Sequence, residues 1–126
     1  MNMMRREGTP IGQIETITNL DEILAEAGDS VVMVEFVADW CGPCKMFKPI
    51  LERAVLANSG AVKLYTVDTG LLPDIAVKYG VNSIPHVLFF HQGEIIRRQP
   101  AFLPEKQFNK LLEGLLVAIK PKEEAL

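Results

Sequence analysis

The sequence predicts a single α/β domain, a mixed sheet with helices covering both of its faces. Three observations point there. Strand-like and helix-like segments alternate through the first half of the chain, which implies parallel strands joined by right-handed crossovers. Val31 to Val37 is β-branched and apolar apart from Glu35, as in a strand buried on both sides. Toward the end, two strand-like runs flank Gln92-Gly93, where glycine accepts positive φ, and this hairpin adds an antiparallel pair.

In chain order, Ile14 to Ile17 reads as a short first strand. Asn19 offers an N-cap, and Glu22 three residues on completes a capping box. Leu20, Ile23, Leu24 and Ala27 make one helical face, with Gly28 as the stop. After the Val31–Val37 strand a helix opens at Cys41 and turns Met46, Phe47, Ile50, Leu51, Ala54 and Val55 inward. Pro49 kinks it, since proline cannot donate back to Lys45. Val62 to Val67 is a third strand, and Asp74 to Tyr79 a short helix between Pro73 and Gly80. His86 to His91 and Glu94 to Arg98 form the hairpin. The last helix starts at Pro104, presents Phe108, Leu111, Leu112, Leu115, Leu116 and Ile119 on one face, and ends at Pro121. Residues 1–12 read as a flexible extension, 13–119 as the domain and 120–126 as a charged, frayed tail.

Composition excludes several classes of function. At 126 residues the chain buries roughly two thirds of its unfolded surface, so its core needs neither metal nor disulfide staples. Thirteen basic residues against sixteen acidic ones leave a net charge of −3 and no basic stripe, which argues against nucleic acid. Apolar runs such as Val31–Val34 and Val87–Phe90 are four residues each and far short of a membrane span. Arg5 and Arg6 have no apolar stretch behind them, so a cytoplasmic rather than an exported protein is expected. Two cysteines are too few for a structural framework. A zinc site from Cys41, Cys44, His86 and His91 is not expected: the intervening stretch is long, and on a strand the odd spacing sends the two rings to opposite faces.

The chemistry is carried by Trp40-Cys41-Gly42-Pro43-Cys44-Lys45, where a buried strand passes into a helix. At a helix N-terminus the first amides lack partners and the macrodipole is positive, so a thiolate at Cys41 is stabilised. Cys44 lies one turn on, placed to attack a mixed disulfide formed at Cys41. Gly42 and Pro43 add no charge, which leaves only the helix end and Lys45 to act on Cys41. The thiolate is therefore modestly stabilised and the disulfide comparatively stable, which makes the dithiol an electron donor.

With Phe36-Val37-Ala38-Asp39 before it and Pro49 after it, this motif resembles the active-site strand and turn of the thioredoxin family. Lys78-Tyr79-Gly80-Val81, Ser83-Ile84-Pro85 and the Phe90, Gly93, Glu94 hairpin extend the resemblance from about Ile14 to Ile119. It implies the thioredoxin fold, a mixed five-stranded sheet flanked by four helices on both faces, and a protein-disulfide reductase with no cofactor beyond a redox-active Cys41–Cys44 disulfide. Cys41 attacks and Cys44 resolves. Pro85 is cis, and Ile84 offers its backbone to an extended substrate segment. Gly42, Pro43, Ser83 and Ala101 complete the substrate-binding surface, and Trp40 is either a rim for substrate docking or a surface aromatic beside a turn. Partners are protein disulfides and an NADPH-dependent thioredoxin reductase, and a monomer is expected. The alternative is a thioredoxin-fold binding or assembly module whose cysteines are incidental.

The chain departs from the family pattern in places. Glu35 stands where the family keeps a buried Asp that moves protons for the resolving thiol; the plainer reading is a Glu reaching past the sheet edge to water. The family's adjacent lysine aligns with Leu64, and Lys63 points to the other face. Val37 replaces a Trp, Asn82 a basic residue, and Pro100 a Gly of the substrate-facing loop. His86 follows the proline where Thr is usual; it either tunes Cys41 as a cation in mild acid or turns away to solvent.

Overall fold

The computed structural model describes residues 10–120. Among them are five strands and four helices: β1 (Ile11–Gln13), α1 (Ile17–Glu26), β2 (Val31–Val37), α2 (Gly42–Ala57), β3 (Val62–Asp68), α3 (Pro73–Lys78), β4 (His86–His91), β5 (Glu94–Gln99) and α4 (Glu105–Ala118). The strands lie in the order β1-β3-β2-β4-β5. β3 pairs in parallel with β1 and β2, while β4 runs antiparallel to β2 and β5. The β4–β5 turn holds Gln92 at φ 53° and Gly93 at φ 85°, as a tight hairpin requires.

β2 sits in the middle, with β3 on one side and β4 on the other, so its alternate residues enter two separate cores. Val32, Val34 and Phe36 pack with Leu20 of α1 and Ile75 and Ala76 of α3. Val31 and Met33 pack with Phe47, Ile50 and Leu51 of α2 and Phe108 and Leu112 of α4. Arg53 donates to both carboxylate oxygens of Glu105 (2.8 and 2.9 Å), clasping α2 to α4 at the surface.

The structure moves the first elements. β1 covers Ile11–Gln13 rather than Ile14–Ile17, so the sheet begins inside the segment read as an extension. Ile17 belongs to α1, whose N-cap is Thr16: its hydroxyl accepts the Asn19 N–H at 3.0 Å. Asn19 is the third helical residue and its side-chain oxygen accepts the Glu15 N–H at 3.0 Å, so Asn19, not Glu22, makes the side-chain bond back across the helix start, one turn earlier than expected. Met46, read as core, is 61% exposed. The buried stripe of α2 is centred on Cys44, Phe47 and Leu51, and Met46 falls outside it. The proposed stop at Pro121 lies outside the described residues.

Candidate active site

The C-terminal end of central β2 delivers Ala38, Asp39 and Trp40 to the start of α2. Cys41 is the N-cap of α2, with an extended backbone at φ −89° and ψ 102°. Its N–H donates to the Ala38 carbonyl at 3.1 Å, and its sulfur accepts the Cys44 N–H at 3.2 Å. Pro43 occupies the first turn, where a missing amide leaves nothing unpaired. Cys41 and Cys44 are joined as a disulfide with Cα atoms 5.3 Å apart. Each is only 3% exposed, so accessibility does not separate them. Position does. Cys41 caps the positive end of the helix, while Cys44 faces a cavity.

That cavity, about 540 Å³, is bounded by Cys44, Lys45 and Lys48 of α2 and by a row of residues across three strands. Gln13, Thr66 and Glu35 are direct register partners on β1, β3 and β2. Glu35 is fully buried, and neither carboxylate oxygen has a hydrogen-bond partner among the described residues. Burial pushes its carboxyl from the ordinary 4.5 up to about 8; the Lys48 charge opposes the rise and the Glu52 charge adds to it. A Glu reaching water past a sheet edge is excluded, because β2 is central. A carboxyl near 8 matches the proton affinity of a free thiol, roughly 8.5, so a proton can pass between the two groups with little free-energy difference.

The other predicted residues divide into a rim and an outlier. Trp40 stands out at 79% exposure beside Cys41, and Gly42 and Pro43 are exposed at the helix tip. Pro85 is buried after a cis Ile84–Pro85 bond. It immediately precedes β4, whose first residue pairs with Phe36, so the proline loop lies at the end of the sheet from which Cys41 emerges. The Ser83 hydroxyl donates over a long 3.4 Å to the Pro100 carbonyl, linking this loop to the one carrying exposed Ala101. His86 is the outlier. Only 5% exposed, it is not turned to solvent; it packs edge-on against Phe36 on the α1–α3 side of the sheet, opposite Glu35. Burial, aided by the Arg98 charge, lowers its pKa from 6.5, which disfavours the cation invoked for mild acid. Sequence reasoning missed Lys48; its spacing of four from Cys44 was the available signal.

The thioredoxin family model matches residues 13–114, from the end of β1 into α4. The chain belongs to the thioredoxin family. It is 36% identical to the thioredoxin of Bacillus subtilis over 88 residues, which is 70% of this chain and 85% of that one. It is 39% identical to a chloroplastic M-type thioredoxin of Pisum sativum over 89 residues, 71% of this chain, and spans about half (51%) of that longer relative. A solved thioredoxin of Malassezia sympodialis superposes with a TM-score of 0.69 at 28% identity, covering 82% of this chain and 89% of that one. The architecture is therefore the thioredoxin fold, with the disulfide-capable pair at the start of α2. Family membership does not by itself carry the cytoplasmic expectation, since the pea relative is chloroplastic by name. Among the described residues no helix is long and apolar enough to cross a membrane, and no three His, Cys, Asp or Glu gather as a metal site.

Proposed function

We propose that this thioredoxin-family chain is a thiol–disulfide oxidoreductase working as a reductase of protein disulfides through Cys41-Gly42-Pro43-Cys44. The observation that carries the reading is the Cys41–Cys44 disulfide at the N-terminus of α2, with the Cys41 sulfur already accepting an amide N–H. In the reduced protein the same amide and the helix dipole stabilise a Cys41 thiolate. That thiolate attacks one sulfur of a substrate disulfide, forming a Cys41–substrate bond and releasing the first substrate thiolate. Cys44 then attacks the Cys41 sulfur, its proton passes to Glu35, and the second substrate thiolate leaves. Two electrons pass from the pair to the substrate, and the protein is left as the disulfide seen here. Trp40, Ser83, Ile84, Pro85 and Ala101 supply the docking rim in this reading. A monomer suffices for every step, and an NADPH-dependent thioredoxin reductase would restore the dithiol.

Insulin reduction driven by dithiothreitol tests the activity, and the same assay driven by NADPH and a thioredoxin reductase tests the recycling partner. Acceleration in both is expected. A protein that leaves the dithiothreitol rate unchanged is a binding module instead.

A further inference from the structure

Lys48 lies four residues beyond Cys44 on α2, so the two side chains share one face of the helix. Both line the cavity into which Glu35 is buried. The position on β3 where the family's lysine would stand holds Leu64, which is fully buried in the α2–α4 core and supplies no charge. The cavity receives charged groups from every element around it: Glu15 after β1, Asp39 after β2, Lys45 and Lys48 from α2, and Asp68 ending β3. Glu52, one turn beyond Lys48, also acts on Glu35 but with the opposite sign. Lys48 is thus the cation whose charge favours the Glu35 carboxylate.

We propose that Lys48 is a positioning residue for the resolving half-reaction, its ammonium holding enough Glu35 as carboxylate to take the Cys44 proton. The inference rests on the reductase reading and deepens it. As Cys44 attacks, its S–H proton moves to Glu35, the Cys41–substrate bond breaks, and the substrate leaves as a thiolate. Glu35 then returns the proton to solvent past the cavity mouth, where the Lys48 side chain is exposed. A lysine on α2 performs the electrostatic task without occupying the sheet. An exposed ammonium is also screened by salt, which a buried β3 lysine would not be.

An opposite charge nearby typically shifts a carboxyl by about one pH unit or more. Removing it lowers the ionised fraction of Glu35 near pH 7 by about tenfold. Stopped-flow reaction of the reduced protein with a bis(nitrophenyl) disulfide reads both steps, because each released aryl thiolate is coloured. The first phase is attack by Cys41 and the second is resolution by Cys44. Lys48→Gln should slow the second phase relative to the first by about tenfold near pH 7 and move its pH profile upward by about one unit. Lys48→Arg should restore the wild-type profile, and ~1 M salt should move wild type toward Lys48→Gln. In a Glu35→Gln background, Lys48→Gln should change nothing further. A wild-type ratio in Lys48→Gln, an Arg variant as slow as Gln, or an undiminished effect without Glu35 would each overturn the inference. A normal second phase in Glu35→Gln would remove the acid's role and this inference with it. A reduced protein that releases no second thiolate would sink the reductase reading itself.

Discussion

Two buried ionisable side chains sit on opposite faces of the central sheet, Glu35 on β2 and His86 on β4. Neither has a hydrogen-bond partner among the described residues, and burial drives both toward the neutral form. They differ in what lies beside them. Glu35 faces a cavity lined by a cysteine and two lysines, and its pKa of about 8 keeps proton exchange accessible near neutrality. His86 packs against the Phe36 ring, and the Arg98 charge drives its pKa further from its usual value. Burial alone therefore does not mark a functional group. In the proposed reading a path for the proton and a reacting partner do, and of these two side chains only Glu35 borders a cavity that a cysteine also lines.

The largest break in this comparison comes from the cysteines. Cys41→Ser should abolish insulin reduction, because no nucleophile remains. Cys44→Ser should accumulate mixed disulfides with client proteins, visible as slower bands on a non-reducing gel and absent in Cys41→Ser. Equal loss in both variants with no trapped adduct would remove the division of labour between cap and cavity.

Glu35 should next show itself in stability. Its folded pKa is raised, so the unfolded chain ionises first and stability is lost as pH rises from about 4.5 through about 8. Urea unfolding of the oxidised protein should show Glu35→Gln gaining on wild type across that window by up to about 1.4 kcal/mol per pH unit. Parallel curves for the two proteins would mean that Glu35 is not held neutral.

His86 should behave in the opposite sense and more weakly. Its folded pKa is lowered, so the stability it contributes is present above pH 6.5 and lost as pH falls below that value. His86→Leu should blunt this acid loss in the same urea titration. The smallest effect is expected at the thiol. Cys41 alkylation against pH in His86→Thr should superimpose on wild type, and a steeper acid fall in the variant would put the imidazole back in the redox site.

The parts of the fold that were legible in the sequence are those where one signal had no competitor. Val31–Val37 and His86–His91 are unbroken enough that their limits come out residue for residue. β1 is only three residues long, and Thr16 and Asn19, three apart, are both good caps, so the helix start slid by one turn. In the site, Cys41 and Cys44 are legible because helix-end chemistry is local. His86 is not, because alternation on a strand chooses between solvent and core only when one face is open, and β4 is covered on both. Lys48 is not either: its relation to Glu35 exists only once α2 crosses the row formed by Gln13, Thr66 and Glu35.

One measurement tests the contrast between the two faces most directly. Carbon-13 NMR of oxidised protein labelled in its Glu and His side chains, with Glu35→Gln and His86→Leu for assignment, follows both groups in a single pH titration. The Glu35 carboxyl should titrate near pH 8 while the His86 ring titrates below 6.5. A Glu35 midpoint near its ordinary 4.5 would contradict the account, leaving Cys44 without a proton acceptor matched to it.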